Sequence, residues 1–311
     1  MRAAAVRAFK APVELVDLPA RSPANGEVGV QLEFAGVNPF DWKIVDGVLD
    51  GQRPHEFPLI LGVDGAGTID AVGPSVTNFR VGDRVFGSFL HDPIGRGTYA
   101  EHVTVPATNA LLRTPEGLRS DQAAALPTAG MTALDALDTI GADPGSALVV
   151  VGASGGIGSF LVPLAASRGL EVVAVARRPS HDRLLALGAR RVIDAEATDG
   201  PALVRAQYPH GVGGLLDLVG PAEPFRRWAG VVRTGATAAT TVYAATPIPG
   251  IRTLNINLQP RSALLDRLAQ EVVAGRLRVP LERTADLADA PNVVLEGRAG
   301  RLSGKTVLRL T

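Results

Sequence analysis

Short apolar runs separated by turn residues characterise the first 120 residues of the chain. Each run is bounded by glycine, proline or polar residues, and four of them predict strands at residues 28–34, 67–72, 84–86 and 99–105. The spacing of these runs predicts a compact, mostly antiparallel β domain.

The pattern changes near residue 120, where strands begin to alternate with helices. The predicted strands occupy residues 148–151, 171–176, 191–194, 214–219, 230–241 and 251–258. The predicted helices among them occupy residues 157–168, 181–187 and 202–207. Strands separated by helices form parallel βαβ units, so this segment is predicted to be a doubly wound parallel sheet. Ligands of such sheets bind at the carboxyl ends of the strands.

The last part of the chain returns to short elements. Residues 262–274 form a strongly amphipathic pattern that predicts a helix, and residues 306–310 predict a final strand. We expect this tail to rejoin the first domain. The predicted domains are therefore residues 1–120 completed by 276–311, and residues 121–275.

An apolar strand runs directly into a glycine-rich turn in the middle of the chain, and a helical pattern follows it. The small residues of such a turn let the backbone approach a pyrophosphate, and the helix N-terminus supplies free N–H groups. The alternative is a tight turn that binds nothing. We predict that the turn binds a dinucleotide through Ala153, Ser154, Gly155, Gly156, Ile157 and Gly158.

The second strand of this sheet ends at Arg177 and Arg178, about 20 residues past the turn. An NAD site places an acid on the ribose there, but the next acid is Asp182. A guanidinium pairs well with a 2′-phosphate, and the Ser180 hydroxyl adds a donor. The sequence therefore predicts NADPH rather than NADH. The alternative is a pair of solvated surface arginines, which the chain also has at residues 190–191 and elsewhere.

Composition narrows the range of functions. The chain has 311 residues and a formal net charge of zero, so no global field favours nucleic acid or a membrane surface. It contains no cysteine, which excludes disulfides, thiol catalysis and thiolate metal sites. The five histidines show no ligand spacing and are predicted to lie at the surface. No signal pattern and no apolar run of about 18 residues is present, so we expect a cytoplasmic protein.

Six sequence blocks give the chain a resemblance to a known family. They are AGVNPFDWK at residues 35–43, LGVDGAGTI at 61–69, VGDRVFG at 81–87, GTYAE at 97–101, ALPTAGMTA at 125–133 and GKTVL at 304–308. In this order the blocks resemble medium-chain dehydrogenases/reductases of the zinc-independent quinone oxidoreductase branch. The resemblance implies a GroES-like β-rich catalytic domain and a Rossmann domain. It also implies a homodimer that transfers hydride from NADPH to quinones or to the C=C bond of α,β-unsaturated carbonyls.

The resemblance also implies site residues. Asn38 matches a family asparagine near the nicotinamide, where it contacts the ring or substrate; alternatively it is a turn residue before Pro39. Lys43 is expected to bond the nicotinamide ribose or donate to the substrate oxygen, the alternative being an exposed lysine. Thr132 is expected to contact the cofactor, and Thr128 is a second such candidate.

Zinc is not expected. Zinc-containing relatives carry His-Glu where this chain has Val63 and Asp64, and a cysteine in the Val37–Asn38 turn. Because a catalytic zinc needs about three protein ligands, the motif positions do not supply a site. Asp41, Asp64 and Tyr99 are predicted to be structural.

Two other interpretations of the sequence compete with this one. Short-chain reductases share the glycine pattern but need Tyr-x-x-x-Lys, which this chain lacks. An NADPH-binding regulatory or structural protein that has lost turnover stays open, because hydride transfer requires no invariant acid or nucleophile.

Overall fold

A computed structural model describes residues 1–311 of the chain. The chain divides into two compact units, the first made of residues 1–131 and 260–311 and the second of residues 132–259. None of the helices is long and apolar enough to cross a membrane.

Strands predominate up to residue 113, and strands alternate with helices over most of residues 147–309. The strands are β1 (Arg2–Val6), β2 (Glu14–Asp17), β3 (Glu27–Gly36), β4 (His55–Ile60), β5 (Asp64–Val72), β6 (Arg84–Ser88), β7 (Ile94–Arg96), β8 (His102–Pro106), β9 (Leu111–Arg113), β10 (Ala147–Val151), β11 (Glu171–Ala176), β12 (Arg191–Asp194), β13 (Val212–Asp217), β14 (Val232–Thr240), β15 (Arg252–Asn255), β16 (Leu281–Asp286) and β17 (Lys305–Arg309). The helices are α1 (Pro39–Val45), α2 (Ser120–Ala125), α3 (Pro127–Ile140), α4 (Gly156–Ser167), α5 (His181–Ala186), α6 (Gly200–Gln207), α7 (Ala222–Ala229), α8 (Ser262–Val273) and α9 (Ala290–Arg298).

The first unit contains two β-sheets. A four-stranded sheet has the order β2-β1-β4-β7, and a seven-stranded sheet has the order β16-β17-β3-β5-β6-β9, with β8 also paired to β3. Strand pairs are antiparallel except β4–β7 and β16–β17, which agrees with the mostly antiparallel prediction. The tail forms β17, in which Leu308 lies opposite Ala35 of β3.

The long strand β3 organises the core of this unit. Val28, Val30 and Leu32 alternate along it and are fully buried, as expected where side chains of one strand face point into a core. They belong to an apolar cluster that also contains Phe89 and Tyr99. β3 ends at Gly36 and leads directly into the turn before α1.

The bounds of the units differ from those predicted from the sequence. Residues 121–131 and the helix α8 belong to the first unit, whereas the sequence placed them in the second. The apolar face of α8 is buried, and a Cβ added at Gly130 would meet Leu268 Cδ1 at 3.1 Å. This packing explains why α8 belongs to the first unit and not to the second, where the sequence placed it.

The second unit is one parallel sheet of six strands. Its order is β12-β11-β10-β13-β14-β15, and every neighbouring pair is parallel. Numbered along this unit the order is 3-2-1-4-5-6, that of the Rossmann fold. The central strand β10 is buried over its whole length, as expected for a parallel strand covered on both faces. The predicted fold class is confirmed.

Candidate functional site

The glycine turn begins where β10 ends. Gly152 has φ +79°, a left-handed conformation that favours glycine. The N–H groups of Gly152 and Ala153 both donate to the Val175 carbonyl, at 3.0 and 3.2 Å. The Ala153 side chain is fully buried. The start of the turn is thus fixed to the neighbouring strand β11.

Two glycines of the turn differ in how tightly the protein packs around them. A Cβ added at Gly158 would lie 2.5 Å from the Ala153 Cα, so close packing requires glycine there. A Cβ added at Gly155 would meet only the Gly152 carbonyl oxygen, at 3.6 Å. Gly155 has φ −77°, which any residue adopts. Neither close packing nor a left-handed conformation requires glycine at 155, which is the N-cap of α4, and an added Cβ would meet no close protein atom.

The helix α4 begins at the next residue, Gly156, and runs for 12 residues. The first N–H groups of a helix have no partner within the helix and carry a partial positive charge. Ile157 and Ser154 are half-buried around this helix start. The residues present fit a pyrophosphate, which such a helix end binds through backbone N–H groups.

Arg183 supports this turn, and the sequence analysis missed it. Its Nη1 donates to Ser159 Oγ at 2.9 Å, and its Nη2 donates to the Ser154 carbonyl at 2.8 Å. These contacts join α5 to a turn 24 to 29 residues earlier in the chain. An arginine two residues into a predicted helix carries no local signal of such a contact.

The residues predicted to select the cofactor lie just after β11. Arg177 and Arg178 are exposed, and Ser180 is half-buried. Arg178 Nε donates to Asp194 Oδ2 at 2.7 Å. The Glu196 N–H and the Arg178 guanidinium together hold the pKa of Asp194 below its usual range. The strand tip is therefore basic, with one arginine paired to an acid at the end of β12.

The predicted cofactor contact Thr132 lies on α3 and is buried, with 5% of its surface exposed. It follows Gly130 and Met131 in the chain. Its burial fits a positioned hydroxyl rather than a solvated one.

A buried polar network surrounds Asp64, the first residue of β5. Its carboxylate accepts hydrogen bonds from Asn38 Nδ2 at 2.9 Å, from the Thr128 N–H at 2.9 Å and from Thr128 Oγ1 at 2.7 Å. Lys305 Nζ lies 3.8 Å from Asp64 Oδ2. Both side chains are essentially inaccessible to solvent. Asp64 thus joins the start of α3 to the turn that precedes α1.

Lys305 is the cation of this network. It is the first residue of β17, and its Nζ donates to Asn38 Oδ1 at 2.6 Å and to the Val37 carbonyl at 2.9 Å. Burial lowers the pKa of Lys305 and raises the pKa of Asp64, and the attraction between the two groups opposes both shifts. No role for Lys305 was predicted from the sequence. Its one signal was a lysine at the start of an apolar strand.

A second carboxyl, Asp41, extends the network. Its Oδ2 accepts hydrogen bonds from Tyr99 Oη at 2.7 Å and from the Asn38 N–H at 2.8 Å. Burial raises the pKa of Asp41 to about 7, although these two hydrogen bonds and Lys305 act in the opposite direction. The pKa of Asp41 is thus displaced toward neutral pH, chiefly by burial.

The structure separates the two predicted catalytic residues. Asn38 is buried, and its amide is engaged by Asp64, Lys305 and more weakly by the Gly36 carbonyl at 3.4 Å. Lys43 lies on the exposed side of α1, and its ammonium makes no hydrogen bond or ion pair. Asn38 is therefore suited to hold the site in place, whereas Lys43 is available to another molecule.

The histidines and acids do not form a metal centre. No group of three or more His, Cys, Asp or Glu side chains is arranged to hold a metal ion. Two histidines predicted to lie at the surface, His91 and His102, are in fact buried, each 8% exposed. His102 Nε2 lies 3.1 Å from Asp70 Oδ1, and His91 Nδ1 lies 2.8 Å from the Phe89 carbonyl. Their loop and strand positions gave no local sign of this burial.

Two family models match separate parts of the chain. Residues 24–116 match the alcohol dehydrogenase GroES-like domain, and residues 148–246 match the NAD dependent epimerase/dehydratase family. These ranges lie within the first and second units, respectively.

Known proteins of similar sequence extend these matches. Acrylyl-CoA reductase AcuI of Ruegeria pomeroyi is 31% identical over 317 residues, which cover 95% of this chain and 92% of that protein. The chloroplast envelope quinone oxidoreductase homolog of Arabidopsis thaliana is 35% identical over 199 residues, or 62% of this chain. The chain spans 58 to 64% of the length of the chloroplast quinone oxidoreductases that it matches.

A solved structure agrees over the whole chain. Mycobacterial Rv1454c complexed with NADPH superposes with a TM-score of 0.86 and 25% sequence identity, covering 99% of each chain.

Proposed function

The chain belongs to the medium-chain dehydrogenase/reductase superfamily, in its quinone oxidoreductase branch, and we propose that it is an NADPH-dependent oxidoreductase. It transfers hydride to quinones or to the C=C bond of α,β-unsaturated carbonyls, and it does so without zinc. A bound nicotinamide would supply the hydride. The protein therefore needs chiefly to bind and orient the cofactor and the substrate and to exclude water.

The observation that carries the proposal is the open glycine at position 155. A Cβ added at Gly155 would meet no protein atom closer than 3.6 Å, and its φ of −77° is one that any residue adopts. A phosphate approaching the backbone at the start of α4 accounts for glycine there. The binding residues in this proposal are Ala153 to Gly158, together with Thr132.

The basic strand tip supports NADPH over NADH. A guanidinium matches phosphate oxygens in a bidentate manner, and Arg177 and Arg178 occupy the place of the ribose-binding acid. Asp194, an acid at the end of the neighbouring strand β12, is bonded to Arg178. A 2′-phosphate would take the place of this carboxylate, while a ribose hydroxyl would gain little from two cations.

Lys43 and Asn38 have different roles in this proposal. Lys43 is exposed with an unpaired ammonium, which suits it to stabilise the negative charge that develops on the carbonyl oxygen. Asn38 is held between Lys305 and Asp64, so it fixes the backbone of the turn before α1. The proton for the substrate α-carbon comes from water or from a side chain.

The donors present support zinc independence. A catalytic zinc takes about three protein ligands, usually with histidine or cysteine among them. At the motif positions this chain offers Asp64 alone, and its carboxylate already accepts three hydrogen bonds. Metal analysis of protein purified without chelators tests this part of the proposal, and stoichiometric zinc would contradict it.

Relatives support the two substrate classes. One is named a quinone oxidoreductase homolog, and another is named an acrylyl-CoA reductase. An acrylyl thioester is itself an α,β-unsaturated carbonyl compound. Both names fit a hydride acceptor conjugated to a carbonyl group.

We also propose that the chain acts as a cytoplasmic homodimer. The strand β15 ends the six-stranded sheet, so one of its edges has no neighbouring strand within the chain. Such an edge offers backbone groups to a second copy. Light scattering at several concentrations tests this assembly, and a mass of one chain at all of them would contradict it.

Isotope transfer tests the reaction itself. NADPH carrying deuterium at C4, in each of the two stereochemical forms, is incubated with the protein and an enone. We expect one form to give product with deuterium on the β-carbon, and reaction in deuterated water to label the α-carbon. If NADPH binds but no deuterium reaches the enone, the result would instead favour a regulatory or structural protein of the same fold.

A further inference from the structure

Four buried side-chain polar atoms of the first unit have no hydrogen-bond partner in the protein: Asp41 Oδ1, His55 Nε2, His91 Nε2 and His102 Nδ1. Of these four residues, Asp41 and His91 line one common cavity. Asp41 is fully buried and His91 is 8% exposed. An unpaired buried polar atom costs about 1–3 kcal/mol, so such atoms in folded proteins usually meet an ordered water.

Both residues line the same small cavity. It has a volume of about 20 Å³ and is otherwise walled mainly by apolar and glycine residues, among them Ile44, Leu61 and Phe89. One ordered water needs about 10–15 Å³ of such space and two or more polar partners. The cavity therefore has the size and the two polar groups that a single water requires.

Asp41 and His91 each make hydrogen bonds with atoms outside the cavity. These bonds determine which atom of each side chain is left to face the cavity. His91 Nδ1 lies 2.8 Å from the Phe89 carbonyl, which only accepts, so Nδ1 carries a hydrogen. In the neutral ring Nε2 is then an acceptor. Asp41 Oδ2 already accepts from Tyr99 and from the Asn38 N–H, which leaves Oδ1 for the cavity.

Charge balance requires a proton in this region. The buried network holds two carboxyls, Asp41 and Asp64, but one ammonium, Lys305. An uncompensated buried charge is costly, so one of the groups is expected to take up a proton. Asp64 accepts three hydrogen bonds and lies near Lys305, which favours its ionised form. Asp41 is the carboxyl left to hold the proton.

We propose that one ordered water binds between Asp41 Oδ1 and His91 Nε2, and that these two side chains share one proton through it. With the proton on Asp41, its hydroxyl donates to the water and the water donates to Nε2. With the proton on His91, Nε2 donates to the water and the water donates to the carboxylate. Every polar atom is satisfied in both arrangements, and the total charge is the same.

The other charged groups near the pair do not replace either member. Tyr99 donates to Asp41 and its pKa is raised well above its usual range, so it keeps its proton. Arg96 also lines the cavity, but its guanidinium pairs with Glu56. Asp92, next to His91 in sequence, pairs with Arg53. The pKa of about 7 for Asp41 agrees with a proton held near neutrality.

A crystal structure of the full chain at high resolution tests the water directly. We expect one density peak within roughly 2.7–3.2 Å of both Asp41 Oδ1 and His91 Nε2. A dry cavity, or a water that touches neither atom, would overturn the proposal.

Carboxyl 13C NMR of aspartate-labelled protein tests the shared proton without reference to any reaction. In His91→Phe the ionised Asp41 loses the group that receives its proton, so its pKa is expected to rise by at least roughly half a unit. His102→Phe is the matched control, because that buried ring of the same unit bonds Asp70 and does not line this cavity. We expect it to leave the Asp41 titration unchanged.

Backbone amide spectra establish that both variants keep the fold. If His91→Phe misfolds, His91→Gln retains a polar atom toward the cavity and is expected to give an Asp41 titration between those of the wild type and of a fully uncoupled carboxyl. An Asp41 titration identical in the wild type, His91→Phe and His91→Gln would refute proton sharing.

Discussion

Lys305 Nζ lies 2.6 Å from Asn38 Oδ1, joining residues that are 267 positions apart in the sequence. The same ammonium donates to the Val37 carbonyl and lies 3.8 Å from Asp64. The last strand of the chain therefore supplies the cation that holds the turn before α1. The site is complete only when both ends of the chain have folded together.

Lys305→Met is expected to destabilise the protein strongly. The substitution leaves two buried carboxyls without a cation, and breaking a buried ion pair in this way costs about 3–5 kcal/mol. Urea unfolding measures the loss. Lys43→Met is the matched control, because the exposed Lys43 ammonium has no partner and its removal should change the free energy of unfolding by less than about 0.5 kcal/mol.

Lys43→Met also tests whether Lys43 takes part in the reaction. Lys43→Met should lower kcat/KM at least about tenfold, or roughly 1.4 kcal/mol of transition-state stabilisation, although it unfolds like the wild type. Lys10→Met removes another exposed lysine of the first unit and should leave kcat/KM unchanged. An unchanged kcat/KM for Lys43→Met would make Lys43 an ordinary surface residue.

Gly155→Ala and Gly158→Ala distinguish a ligand contact from packing. At Gly155 the added methyl group meets no close protein atom, so the free energy of unfolding should fall by no more than about 1 kcal/mol, the cost of a poorer N-cap for α4. The NADPH dissociation constant should rise at least about tenfold. At Gly158 the methyl group would overlap the Ala153 backbone, and stability should fall by about 1–3 kcal/mol.

Calorimetric titration with NADPH and thermal unfolding of both variants make this comparison. A Gly155→Ala protein that binds NADPH like the wild type would remove the main support for a phosphate at the turn.

Replacing both Arg177 and Arg178 by glutamate should affect the two nicotinamide cofactors unequally. The dissociation constant of NADPH should rise by at least about a hundredfold, because two charge-assisted contacts to a phosphate are replaced by repulsion. That of NADH should change far less. The control replaces Arg226 and Arg227, an exposed pair on α7, in the same way. Equal losses for both cofactors would contradict the assignment of NADPH.

The buried carboxyl Asp41 should give the protein a characteristic pH dependence. Its pKa is about 7 in the fold and about 4 in an unfolded chain, so the folded state binds the proton more tightly. The free energy of unfolding therefore contains a contribution that is complete below about pH 4 and is lost as the pH rises through about 7. Three pKa units correspond to about 4 kcal/mol at most.

Asp41→Asn mimics the protonated side chain and lacks this titration. Between about pH 5 and pH 8 the wild type should lose stability relative to the variant, as measured by urea unfolding at each pH. Parallel pH profiles for the two proteins would show that Asp41 does not titrate in this range.

The sequence predicted the parts of the structure that depend on local pattern. The strands at 171–176 and 191–194 have the bounds of β11 and β12, because uninterrupted apolar or β-branched runs end at turn residues. The glycine turn was predicted for a similar reason, since its strand, turn and helix are contiguous. Asp41, Asp64 and Tyr99 were predicted to be structural, and all three are buried and bonded.

The contacts that local pattern does not encode were missed. Lys305 reaches Asn38 across nearly the whole chain, and Arg183 reaches back from α5 to the glycine turn. Nothing near either residue in sequence marks its partner. The short helix α9 was also missed, because its buried face has few apolar residues, among them Val293 and Val294. Its burial depends on packing in three dimensions.

Oxidation of NADPH with a panel of quinones and enones, run beside NADH, tests the central claim most directly. The account predicts turnover of at least one quinone or enone, with kcat/KM higher for NADPH than for NADH. A protein that binds NADPH tightly and oxidises it with no member of the panel would contradict the proposed reaction. Turnover that is faster with NADH would contradict the proposed cofactor.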